Sequence, residues 1–171
     1  LADPQGLPLG VKWWQGQAWL LDLSQEAARH WWRDKLARLQ RETGIAGYKF
    51  DAGEANFLPA GARPREAIAS SAYSHLWAHL AARHFPYGEV RCGWHNQRDA
   101  MLVRQWDKFS TWGEDNGLAS VISGALALGL TGYPFVLPDM VGGNAYGNSV
   151  SAELMIRWTQ ACAPMLAVQF S

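Results

Sequence analysis

The stretch YKFDAGEANFLP, residues 48–59, ends an apolar run on two carboxylates, Asp51 and Glu54, three positions apart. Further acids close other apolar runs: Asp107 ends AMLVRQWD (100–107) and Asp139 ends PFVLPD (134–139). Arg91 lies inside another such run, GEVRCGW (88–94). Carboxylates carried on separate strand ends suit the hydrolysis of a glycosidic bond. One attacks the anomeric carbon while a protonated one donates to the leaving oxygen. A gap of about 5–5.5 Å between them gives retention, and a wider gap admits a water and gives inversion. Asp51 would have to stay ionised, which a guanidinium such as Arg91 favours. Asp107 would have to be protonated near neutral pH, which apolar neighbours such as Trp106, Phe109 and Trp112 favour by desolvation. The competing reading is ordinary loop solvation, with Asp139 a turn residue, Arg104 a structural ion-pair partner and Trp106 core.

The elements around these residues favour the chemical reading. Residues 1–23 read as loop with one short extended piece, VKWWQGQAWLLDL. Ser24 is a good N-cap for a helix that carries Ala28, Trp32, Leu36 and Leu39 at helical spacing and stops at Gly44. IAGYKF (45–50) reads as a strand, 52–66 as a loop, and 66–84 as a helix with Ala69, Tyr73, Leu76, Leu80 and Ala81 on one face. Strands at 88–94 and 100–107, a helix at 117–131, a strand at 134–139 and a helix at 151–166 follow. Strands apolar throughout and separated by helices predict an α/β fold with a parallel sheet covered by helices. In a β/α barrel the catalytic groups come from the C-terminal ends of several strands, where these acids stand.

Composition excludes other classes. Acids and bases balance at fifteen each, leaving no electrostatic footprint for nucleic acid or an anionic membrane. Residues 117–137 are uncharged, long enough for a membrane span, but Gly124, Gly129, Gly132 and Pro134 divide them into helix, turn and strand. No membrane contact is expected from this segment, and no cleavable signal is read at its start. Cys92 and Cys162 follow no metal or redox spacing and read as small buried hydrophobes. His75 and His79 are four apart on a helix but lack the Glu of H-E-x-x-H and a third ligand, so no metal and no cofactor are expected. GGNAYG lacks the order and the Lys of a phosphate loop, and no G-x-S-x-G elbow supports a Ser or Cys nucleophile. Ten Trp, five Tyr and six Phe either fill a large core or line a cleft where sugar C–H faces pack on flat rings.

Taken in order, the motifs resemble glycoside hydrolase family 31 over about residues 8–170. VKWWQGQAWLLDLSQEAARHWW is similar to that family's Trp-bearing segment and the helix start after it. YKFDAGE is similar to its nucleophile strand, WDKFSTWGEDNGLASVISGALALGLTG to its acid/base segment, and YPFVLPDMVGGNAYG to the strand after that. The resemblance implies a (β/α)8 TIM barrel, of which this chain supplies about half, with residues 1–171 all in one catalytic domain. It implies Asp51 as nucleophile and Asp107 as general acid/base of a retaining α-glycosidase. Trp14, Arg91 and Asp139 would bind the cleaved sugar, and Glu54 would stand behind them. Lys49 and Arg104 occupy positions where the family's α-glucosidases carry Trp. This departure implies a galactoside-type or acidic hexoside, with both cations contacting substrate.

A complete barrel takes about 250 residues, so the remaining strands, including the one whose His holds the sugar, and flanking domains are expected as partners. The resemblance points to the secretory pathway or cell exterior for the full-length protein. A catalytically silent carbohydrate- or protein-binding module of the same fold is the alternative. The presence of both Asp51 and Asp107 favours the enzyme, since a binder needs no acid and nucleophile together.

Overall fold

The computed structural model describes residues 1–147 and 149–170. The chain divides into two units, Leu1–Asp99 and Ala100–Ser171.

The first unit opens with a hairpin. β1 (Gly10–Trp13) and β2 (Gly16–Trp19) pair antiparallel with Trp13 opposite Gly16. The sequence reading had a single extended piece here. The turn is hidden because Trp14 and Gln15 carry no turn signal, and only Gly16, at φ +111°, supplies the backbone freedom. α1 (Glu26–Thr43) stops at Gly44, whose left-handed φ of 71° lets its N–H reach Gln40 O. Ser24 is not its N-cap, contrary to expectation; Gln25 holds that place. The Ser24 hydroxyl is engaged elsewhere, donating to Asp22 Oδ1 at 2.6 Å and accepting from the Glu66 N–H at 3.1 Å.

β3 (Tyr48–Phe50) and β4 (Gly88–Val90) pair in parallel, joined through α2 (Ser70–His84). Gly47 is required where the chain enters β3: a Cβ there would fall 1.4 Å from the Tyr87 carbonyl oxygen. Phe50 anchors the packing, with ring centroids 5.5 Å from Trp32, 6.3 Å from Trp77 and 5.9 Å from Phe85. Burying such a side chain contributes roughly 1.5–3 kcal/mol, and each well-set aromatic pair about 0.5–1.5 kcal/mol more.

The second unit repeats the pattern. β5 (Leu102–Arg104) pairs in parallel with β6 (Val136–Leu137), Arg104 opposite Leu137, with α3 (Leu118–Leu130) between them. α4 (Ala152–Cys162) starts at Ser151, whose Oγ accepts from the Leu154 N–H at 3.2 Å. Leu118, Val121, Val141, Leu154, Trp158 and Cys162 form the core under the two helices. The uncharged run that opens with α3 is thus helix, turn and strand, and no helix among the described residues is long and apolar enough to cross a membrane. The element order matches the sequence reading, but every strand is shorter than expected. The polar tails assigned to strands, Arg91–Trp94 and Gln105–Asp107, leave the ladder and become loop.

Candidate active site

In the first unit the site grows out of β3. Alternation along the strand sends Phe50 into the helical layer and leaves Lys49 exposed on the other face. Asp51 follows directly, and its side chain keeps 41% of its surface exposed. The next two residues are left-handed, Ala52 at φ 60° and Gly53 at φ 93°. Strained backbone of this kind, costing of order 1–3 kcal/mol at a non-glycine residue, is a frequent feature of functional sites. Glycine is obligatory at 53, since a Cβ would lie 2.0 Å from Trp77 Cδ1.

Beyond this turn Glu54 and Asp51 engage the same guanidinium. Arg91, just past β4, donates from Nε to Glu54 Oε1 at 2.6 Å and pairs through Nη1 with Asp51 Oδ1 at 3.1 Å. Its side chain is 11% exposed and that of Glu54 only 8%, so a nearly buried pair orients a more open carboxylate. The Arg91 Cζ also lies 6.0 Å from the Trp14 ring and 5.9 Å from that of Phe57. Trp14 is exposed and stacks on Trp13 with centroids 4.3 Å apart. Asp51, Glu54, Arg91 and Trp14 therefore gather in one unit, as the sequence reading anticipated, while Lys49 stands on the exposed face of the strand.

In the second unit Arg104, the last residue of β5, is buried. Its Nη1 lies 2.7 Å from Asp139 Oδ1 and 3.2 Å from Asp107 Oδ1. Asp139, 1% exposed and left-handed at φ 66°, also accepts from the Lys108 N–H and from Asn144 Nδ2, both at 3.1 Å. The structure thus sets Arg104 and Asp139 beneath Asp107 as its support; the sequence reading had them turned to substrate. Asn116 Nδ2 donates to the Asp107 carbonyl at 2.8 Å, and the Tyr146 hydroxyl donates to Asp107 Oδ2 at 2.9 Å. That bond to Asp107 is the first cause holding the Tyr146 phenol above its ordinary range. Burial lowers the Lys108 ammonium from its ordinary value, against the attraction of Asp139. The aromatic residues expected to desolvate Asp107 do not close over it in this unit: Trp106, Phe109 and Trp112 are about half exposed.

Asn116, Asn144, Lys108 and Tyr146 were not picked out from the sequence. Asn144 and Tyr146 lie in GGNAYG, which was weighed only as a phosphate loop and set aside. The two helix histidines are taken up structurally, His75 Nδ1 by the Trp94 carbonyl at 2.8 Å and His79 Nδ1 by Asp99 at 3.0 Å. Among the described residues no group of three or more His, Cys, Asp or Glu could hold a metal.

Parallel βα units with acids and arginines at their C-terminal ends define a segment of a β/α barrel of the hydrolase kind. Residues 1–166 match the Glycosyl hydrolases family 31 TIM-barrel domain, and the chain belongs to that family. It is 37% identical over 180 residues to the myogenesis-regulating glycosidase of Mus musculus, a match covering 99% of this chain and 25% of that protein. Among solved structures it is similar to a cycloalternan-degrading enzyme from Trueperella pyogenes in complex with a covalent intermediate. That match has a TM-score of 0.80 and 25% identity and covers 99% of this chain and 24% of the other. It is also similar to a sulfoquinovosidase from E. rectale in complex with an aza-sugar inhibitor, with a TM-score of 0.78, 25% identity, and coverage of 92% and 26%. The chain therefore spans about a quarter of the length of these relatives.

Proposed function

We propose that the full-length protein is a retaining α-glycosidase and that this chain carries its nucleophile, Asp51, and its general acid/base, Asp107, within a single catalytic barrel. The observation that carries the reading is the matched placement of the two acids. Each lies within three residues of the C-terminal end of a parallel strand and is held by an arginine, Arg91 at 3.1 Å and Arg104 at 3.2 Å. Asp51 attacks the anomeric carbon as Asp107 passes its proton to the leaving oxygen. Water then attacks the glycosyl-enzyme with Asp107 as base. The relative solved with a covalent intermediate supports this double displacement. Arg91 and Trp14 bind the sugar beside Asp51, while Arg104 and Asp139 fix the geometry of Asp107.

Specificity rests on Lys49, which shares its side of β3 with Asp51 by the two-residue period of a strand. A cation there favours an axial hydroxyl or an anionic substituent where an indole would exclude it. The preferred substrate is thus an α-galactoside or an acidic α-hexoside, and the likeness to a sulfoquinovosidase supports the acidic branch. The test is proton NMR of the full-length enzyme acting on aryl α-galactoside, α-glucoside and sulfonated α-hexoside. The α-anomer should form first, and the glucoside should be the poorest of the three. First formation of the β-anomer overturns the retaining mechanism. Equal rates on glucoside and galactoside with no turnover of the acidic sugar overturn the specificity alone.

A further inference from the structure

Beside Asp51 a cavity of about 210 Å³ opens on the helix side of β3, the side of Phe50 and away from Lys49. Its wall is largely aromatic, with Trp13, Trp19, Trp32 and Trp77 among its lining. Two buried polar atoms of residues in that wall lack a hydrogen-bond partner, Glu54 Oε2 and Trp77 Nε1. Leaving such a group unsatisfied costs about 1–3 kcal/mol, so each demands an explanation. Glu54 is more than nine-tenths buried, and its other oxygen is held by Arg91 at 2.6 Å. Its position is therefore fixed by that pair.

We infer that this cavity is a binding site for a monosaccharide-sized polyol, one hydroxyl of which donates to Glu54 and another, or the same one, accepts from the Trp77 indole. The chemistry of the pair selects the ligand class. The carboxylate can only accept, and the indole can only donate. A hydroxyl group does both, whereas an ammonium would leave the indole unpaired and a carboxylate would face Glu54 with like charge. The surrounding rings are flat and apolar, which suits the C–H faces of a pyranose. The volume lies below the roughly 300–1,000 Å³ of drug-sized pockets, room for one sugar ring and no more. The inference rests on the glycosidase reading only for the choice of hexose. It assigns Glu54 and Trp77 a binding role apart from the catalytic steps.

The test uses the full-length protein labelled with ¹⁵N-tryptophan, titrated in one arm with D-galactose and in another with glycerol. Galactose should shift the Trp77 indole N–H downfield with saturation, because that proton gains an acceptor, and glycerol should bind far more weakly. Trp77→Phe keeps the ring and removes the donor, so galactose binding followed by tryptophan fluorescence should weaken about threefold to tenfold. An unmoved Trp77 resonance, or glycerol binding as tightly as galactose, overturns the inference, and neither result needs a variant to fold. The glycosidase reading fails separately: an enzyme with no turnover can still show the Trp77 shift, and an active one can lack it.

Discussion

Asp139→Asn isolates the support beneath Asp107. Asparagine tolerates the left-handed φ of 66° at this position, so the substitution adds little backbone strain. It removes the charge that faces Arg104 Nη1 at 2.7 Å, where the two side chains are 3% and 1% exposed. Breaking a buried ion pair by neutralising one partner costs about 3–5 kcal/mol, because a desolvated charge is left behind. Arg104 keeps Asp107 at 3.2 Å, which argues for the lower end. The Lys108 N–H reports the loss locally, since it donates to Asp139 Oδ2 at 3.1 Å. Native-state hydrogen exchange read by mass spectrometry on peptides spanning 104–111 should therefore accelerate by about a hundredfold to a few thousandfold. Turnover should fall with it, since Arg104 and Lys108 flank the acid. Exchange within about threefold of wild type would refute the claim that this pair holds the loop, at under about 1 kcal/mol.

Tyr146 should titrate above its ordinary value of 10.0. The difference in phenolate absorbance between wild type and Tyr146→Phe isolates it, and in an Asp107→Asn background the midpoint should drop back. Asp22 is held below the ordinary 3.8: burial alone would raise it, but bonds from Ser24, Arg65 and Gln25 outweigh that. Its contribution is therefore present above pH about 3.8 and lost as pH falls through the lowered value. Asp22→Asn should be less stable at neutral pH by about 1.5–3 kcal/mol and should show no loss in that acid window by chemical denaturation. Burial pushes the Cys92 thiol up to about 12 and that of Cys162 up to about 11. Iodoacetamide at pH near 8 should spare both until the protein is unfolded, which peptide mass spectrometry reads directly.

The sequence carried the alternation of strands and helices because apolar runs and their glycine stops are local signals. IAGYKF, bounded by glycines, became β3, and the uncharged run after Gly117 became α3. The hairpin of β1 and β2 was not legible, since its turn is built from Trp14 and Gln15. Ser24 looked like a cap because capping preference is local, whereas its partner Glu66 lies 42 residues away. The gathering of Asp51 and Glu54 on Arg91 was within reach of motif reasoning. The direction taken by Arg104 was not, because nothing local says that Asp139, 35 residues on, would bury its carboxylate against it. Tyr146 escaped for the same reason: its bond to Asp107 spans 39 residues and lies in a loop with no regular period.

The central claim is that Asp51 forms a covalent bond to the sugar, and one experiment addresses it directly. The full-length protein is incubated with an activated fluoro-α-hexosyl trapping reagent, in which the fluorine slows the release of the intermediate. It is then digested and sequenced by mass spectrometry. The account predicts a single hexosyl adduct on the peptide containing YKFDAGE, located on Asp51, and none in Asp51→Ala. An adduct on any other residue, or full turnover of the reagent by Asp51→Ala, would contradict it.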